Sequence, residues 1–128
     1  MSYVPEQGAG TAVDDEQMME LAVEQADGGV VVRVVGEVDM VTSPRLQTVL
    51  SEQVAARPAA VVLDLDGTTF LGSSGLAVLV EADEEARDAG VRFAVSASTR
   101  DVLRPLEATG LTELMEVHPD VPAALARG

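Results

Sequence analysis

Two stretches near the start of the chain carry the apolar and polar pattern of β-strands. Residues 19–25, MELAVEQ, alternate large apolar side chains with smaller or polar ones, and residues 30–38, VVVRVVGEV, are mostly valine. Asp27, Gly28 and Gly29 lie between them, and such residues supply the positive φ angles of a tight turn. The pattern predicts an antiparallel β-hairpin.

A helical pattern follows the hairpin at residues 42–58, TSPRLQTVLSEQVAARP. Ser43 is placed to be the N-cap and Pro44 the first helical residue, and the helix should end before Pro58. Its apolar face is predicted to consist of Leu46, Val49, Leu50 and Val54.

Strand and helix patterns then alternate to the end of the chain. The predicted strands are residues 59–67, 91–96 and 114–118. One predicted helix spans residues 74–90 and ends at Gly90, and a second spans residues 98–110 and is broken near Pro105. A final helical turn or two is predicted within residues 120–128. This order predicts an α/β fold with a mixed, mainly parallel sheet, an N-terminal antiparallel hairpin and helices packed against the sheet.

Length and composition narrow the class of protein. The 128 residues suit one domain, which we place at residues 17–128 after a flexible tail at residues 1–16. The chain has no cysteine and no apolar stretch long enough to span a membrane, so we expect a cytoplasmic protein with no membrane partner. Its 22 acidic residues outnumber 8 basic ones, all arginine, and the net charge of -14 argues against nucleic acid as a partner.

One motif suggests catalysis. Residues 64–68, DLDGT, match the pattern of haloacid-dehalogenase-like phosphatases, in which Asp64 would be the nucleophile. Such enzymes need a cation, generally lysine, and this chain has none, so we interpret Asp64 and Asp66 as strand-end residues that hydrogen-bond loop amides. His118 is the only histidine, and no spacing resembles a metal site. We therefore predict no catalytic residue, metal or cofactor.

The stretch LGSSGLAVLV, residues 71–80, places two serines between two glycines at the start of a predicted helix. A hydroxyl of Ser73 or Ser74 could simply cap the helix. Alternatively, Gly72 and Gly75 leave the backbone open to another molecule, and a hydroxyl at the positive end of a helix is well placed to carry a phosphate. The chemistry of these residues alone leaves both interpretations open.

The stretches LDLDGTTFLGSSGLAVLV, residues 63–80, and VVVRVVGEVDMVTSPRL, residues 30–46, resemble the signature segments of the STAS domain of bacterial anti-sigma factor antagonists. The similarity covers roughly residues 18–128. It implies a regulatory protein, not an enzyme, that binds an anti-sigma factor which is also a serine protein kinase and is released when a serine is phosphorylated. A phosphatase would be a further partner.

Carried over to this chain, the resemblance makes Ser74 the phosphorylated serine, with Ser73 as the fallback. The surface that it implies for the partner contains Glu37, Asp39, Thr42, Ser43, Gly72, Ser73 and Gly75. Family members commonly carry Asp where this chain has Gly72. That difference supports an alternative hypothesis, an unphosphorylated STAS adaptor of a transporter ATPase or a stress-signalling complex.

Overall fold

The computed structural model describes residues 19–126, which form a single mixed sheet with helices on both faces. The strands are β1 (Met19–Ala26), β2 (Gly29–Val38), β3 (Ala60–Leu71), β4 (Arg92–Ser96) and β5 (Glu116–His118). The helices are α1 (Ser43–Ala55), α2 (Ser73–Ala89), α3 (Arg100–Ala108), α4 (Leu111–Leu114) and α5 (Val121–Ala126). The predicted tail at residues 1–16 lies outside the described residues.

The strands lie in chain order, β1-β2-β3-β4-β5. β1 and β2 are antiparallel, and the remaining neighbours are parallel, so the predicted fold class is confirmed. The hairpin turn consists of Asp27 and Gly28, of which Gly28 has a positive φ of 97°. Gly29 does not have the positive φ that the turn pattern suggested. It is instead needed for close packing, since a Cβ there would lie 2.4 Å from the carbonyl oxygen of Ala60.

The main core lies between the sheet and α1, α2 and α3. It contains valines and leucines from the inward face of each element, including Val32, Val34, Leu46, Leu50, Leu63, Leu65, Leu79, Val102 and Leu106. A smaller apolar cluster on the opposite face contains Val31, Val62, Ala94 and Ala124, so α5 covers that face in part. Neighbouring residues of each buried strand point to opposite faces, which explains why these strands are apolar almost throughout.

Three helix predictions need correction. α1 begins at Ser43 itself and Thr42 is its N-cap, so Ser43 is not the cap and Pro44 is the second helical residue. α3 continues through Pro105 instead of breaking there. The single turn α4 was not predicted, whereas the end of α2 at Gly90, with a φ of 73°, is confirmed.

The end of β3 determines where the next helix begins. β3 continues four residues beyond the predicted strand because it pairs with β2 as far as Val38 and Leu71. The amide of Gly72 then donates a hydrogen bond to the carbonyl oxygen of Val38, at 2.9 Å. This pairing places the loop after β2 directly beside the start of α2.

Candidate functional site

The start of α2 contains the two serines between two glycines. Gly72 is the N-cap, with extended backbone angles, and its carbonyl oxygen accepts the first helical hydrogen bond, from Leu76 at 3.0 Å. No side chain within residues 19–126 caps this helix, so of the two interpretations left open, the one in which a hydroxyl of Ser73 or Ser74 is the cap is wrong. Both serines instead occupy the first turn, where backbone amides have no helical partner.

Gly75 has a structural role at this site. It is buried, and a Cβ on it would lie 2.6 Å from Cγ1 of Val38 and 2.8 Å from Cδ1 of Leu71. The prediction that Gly75 leaves room for another molecule is therefore wrong, because the protein's own side chains fill that room. Gly75 allows the first turn of α2 to lie against the ends of β2 and β3.

The two serines differ in environment. Ser73 is exposed, whereas Ser74 is half-buried, and its Oγ lies 3.1 Å from Oγ of Ser43 at the start of α1. Ser74 is thus partly exposed, and its hydroxyl contacts the start of a neighbouring helix.

The loop between β2 and α1 is held together by Asp39. Its carboxylate accepts hydrogen bonds from the amides of Val41 and Thr42, at 2.9 and 3.0 Å, and from the Thr42 hydroxyl at 3.2 Å. Its carbonyl oxygen accepts from both the amide and the hydroxyl of Ser43, at 2.8 and 2.5 Å. The amide of Thr42 is the main reason that the pKa of Asp39 is lowered, against an opposing effect of desolvation.

Thr42 and Ser43 are buried, although we predicted that they bind the partner directly. Thr42 is 3 % exposed and Ser43 4 %, so they can support a docking surface from beneath but not form its outside. The Thr42 hydroxyl lies 2.9 Å from the carbonyl oxygen of Glu37, which ties the loop back to β2. Glu37 and Asp39 are partly exposed, as are Gly72 and Ser74.

Large apolar side chains are exposed around this loop. Met40 is 79 %, Val41 60 % and Phe70 51 % exposed, which makes them the three most exposed large hydrophobic residues in the described part of the chain. The ring of Phe70 lies beside Gly72, because a Cβ on Gly72 would be 3.0 Å from it. We refer to Met40, Val41 and Phe70 as the apolar patch. These exposed residues were not predicted from the sequence, although Met40 and Val41, two large apolar residues in a short polar loop, were a usable signal.

The residues of the phosphatase-like motif are bound to other groups in the protein. Asp64 is 7 % exposed, and its carboxylate accepts from Nε of Arg33 at 2.9 Å and from the amide of Asp66 at 3.0 Å. Asp66 accepts from the amide of Ser98 at 2.9 Å. These bonds to backbone amides match our interpretation, except that both residues lie inside β3 and not at its end.

His118 is remote from Ser74 in the topology. It lies on β5, pairs with Ser96 and contacts Glu116 through Nε2 at 3.0 Å. Within residues 19–126, no group of three or more potential ligands could hold a metal ion. No helix in that range is long and apolar enough to cross a membrane.

The protein is therefore a small α/β domain of the class that presents a serine hydroxyl, here that of Ser74, at the start of a helix and close to an exposed apolar side chain, here Phe70. Residues 20–124 match the STAS domain family, and the chain belongs to that family.

Two curated relatives are from Mycobacterium tuberculosis. The anti-sigma-F factor antagonist RsfB is 32 % identical over 82 % of this chain and 85 % of its own length, and the antagonist RsfA is 27 % identical over 95 % and 97 %. A crystal structure of an anti-sigma factor antagonist from Mycobacterium paratuberculosis is 38 % identical, with a TM-score of 0.79 over 84 % of this chain and 92 % of the other. The resemblance that the two signature segments predicted is confirmed.

Proposed function

We propose that this protein is an anti-sigma factor antagonist that docks on an anti-sigma factor with serine kinase activity, and that phosphorylation of Ser74 ends the docking. The observation that carries the proposal is the position of Ser74, which is half-buried in the first turn of α2, two residues after the Gly72 that Phe70 lies beside. The family and the relatives named as antagonists support the docking partner.

The apolar patch supplies a reason for docking. Exposed apolar area is costly in water, and its removal from water drives association. Met40 and Val41 lie on the loop that Asp39 holds, just before Ser43, whose Oγ contacts that of Ser74, and Phe70 lies beside Gly72, the N-cap of α2. A kinase that binds these apolar side chains would be held close to the Ser74 hydroxyl.

A phosphate on Ser74 would oppose docking. It adds about 1.5 to 2 negative charges and three acceptor oxygens at neutral pH, which are costly to bury against apolar side chains. Release therefore follows from desolvation of the phosphate and steric filling of the interface, without any rearrangement of the fold.

The experiment combines phosphorylation and binding. A candidate anti-sigma factor kinase from the source cell is incubated with the protein and ATP, and the phosphorylated residue is mapped by mass spectrometry. Label on Ser74 that disappears in Ser74→Ala supports the proposal, and label only at other residues contradicts it. Ser73→Ala, one residue away and exposed, is the matched control.

Calorimetry with the same kinase tests the switch. Ser74→Glu should weaken binding about tenfold or more, equivalent to roughly 1.4 kcal/mol, while Ser74→Ala binds like the wild type. Phe70→Ala should also weaken binding, whereas Leu114→Ala, which is similarly exposed at 49 % but lies near the other end of α2, should not. Full affinity of Ser74→Glu would instead identify a constitutive adaptor.

A further inference from the structure

Two serine hydroxyls from different helices meet at the site. Ser43 is the first residue of α1, Ser74 is the second residue of α2, and their Oγ atoms are 3.1 Å apart. They are 31 residues apart in the chain. The contact therefore exists only in the folded domain.

The hydrogen atoms of this contact can be assigned from its neighbours. A carbonyl oxygen only accepts hydrogen bonds, and that of Asp39 lies 2.5 Å from Oγ of Ser43, so the single hydroxyl hydrogen of Ser43 points to Asp39. Ser43 then has only acceptor capacity left for Ser74. The Ser74 hydroxyl consequently donates to Ser43, with its proton directed inward and the remaining lone pairs available on the other side.

Ser43 is itself rigidly placed. It is 4 % exposed, and its amide donates to the same Asp39 carbonyl oxygen at 2.8 Å. The Ser73 hydroxyl has no such support: Ser73 is exposed, and among the described residues its side chain makes no hydrogen bond. Of two adjacent hydroxyls, one is oriented by a hydrogen bond within residues 19–126 and the other is not.

We propose that Ser43 is a positioning residue that selects Ser74 over Ser73 as the phosphoryl acceptor. This inference rests on the proposed function. In the transfer, Oγ of Ser74 forms a bond to the γ-phosphorus of ATP, the bond from that phosphorus to the β–γ bridging oxygen breaks, ADP leaves with the electron pair, and the Ser74 proton leaves its hydrogen bond to Ser43 and passes to a base on the kinase. Ser43 thus places the attacking oxygen of Ser74, and an oxygen that is already placed loses less freedom on reaching this geometry than one that is not.

The first test compares the site of phosphorylation in Ser43→Ala and in the wild type. Loss of the positioning bond should reduce the ratio of phosphate on Ser74 to phosphate on Ser73 roughly 2- to 10-fold, the effect of one net hydrogen bond. Ser43→Thr, which keeps a hydroxyl, should restore the ratio. Ser51→Ala is the matched control, since Ser51 lies on the same helix but bonds Glu85. An unchanged ratio in Ser43→Ala overturns the proposal.

A second measurement needs no kinase. The NMR coupling constants of the Ser74 side chain should report one rotamer in the wild type and an average over rotamers in Ser43→Ala, with the amide spectrum confirming that the variant is folded. Averaged couplings in the wild type overturn the positioning role by themselves. If the wild type shows one rotamer but neither serine accepts phosphate from the kinase, the proposed function fails and the selection role with it. A fixed rotamer with an unchanged phosphate ratio removes the selection role alone.

Discussion

Gly75→Ala tests whether the site depends on close contact between α2 and the ends of two strands. The added methyl group would lie 2.6 Å from Cγ1 of Val38 and 2.8 Å from Cδ1 of Leu71, well inside the 3.5–4.0 Å of an ordinary carbon contact. Val38 is fully buried and Leu71 is 5 % exposed, so neither side chain has open space to move into. The helix start must shift away from the sheet instead.

The magnitude follows from two opposing effects. Overpacking of a buried site costs about 1–3 kcal/mol, and alanine gains up to about 1 kcal/mol over glycine in a helix. We expect Gly75→Ala to lower the free energy of unfolding by about 1–2 kcal/mol net. Urea unfolding followed by far-ultraviolet circular dichroism measures it, because the chain has no tryptophan for fluorescence.

A double-mutant cycle makes the reasoning specific. Val38→Ala removes the nearer of the two clashing atoms, so the step from Gly75 to Ala should cost at least about 0.5 kcal/mol less in that background. A Gly75→Ala protein as stable as the wild type would refute the reasoning. So would an equal cost in both backgrounds, since the penalty would then not come from Val38.

Three further changes test other parts of the structure. The pKa of Asp39 is lowered from 3.8, so the support that its carboxylate gives the loop is complete above pH 3.8 and is lost as the pH falls through the lower pKa of the folded protein. The NMR chemical shift of the Thr42 amide should therefore titrate with a midpoint below pH 3.8. Asp39→Asn should abolish this titration. Ser96→Ala should leave stability unchanged or raise it by up to about 1 kcal/mol in urea unfolding, because the buried Ser96 hydroxyl has no hydrogen-bond partner among residues 19–126. Arg33→Gln should lower stability by about 1–3 kcal/mol in the same assay, because it leaves the buried Asp64 carboxylate without its cation.

The fold was largely predictable because its signals are local. Strands and helices alternate with clear apolar patterns, and the positive φ angles of Gly28 in the hairpin turn and of Gly90 after α2 are local features. The errors lie where distant parts of the chain decide the outcome. β3 is longer than predicted because it pairs with the end of β2, and the Ser73 and Ser74 hydroxyls do not cap α2.

The candidate site was predictable in its position but not in its construction. The two signature segments brought Asp39 and Ser74 to attention, and the structure places the start of α2 beside the loop that contains Asp39. The contact between Ser43 and Ser74 joins residues 31 positions apart, and no local pattern indicates it. The exposure of Phe70 likewise depends on which distant parts of the chain pack beside the end of β3, and the residues next to Phe70 in the sequence do not indicate this.

The start of α2 suits a phosphate that must alter binding without unfolding the protein. The first turn has no acidic residue, and the amides of Ser73, Ser74 and Gly75 precede the first helical hydrogen bond, so a phosphate on Ser74 gains from the helix dipole. The same phosphate beside the apolar patch would lose hydration on docking, with few groups there to replace the water. Under the proposed function, phosphorylation therefore destabilises the complex and not the folded domain. The start of α2 stabilises the negative charge, whereas docking would bury it.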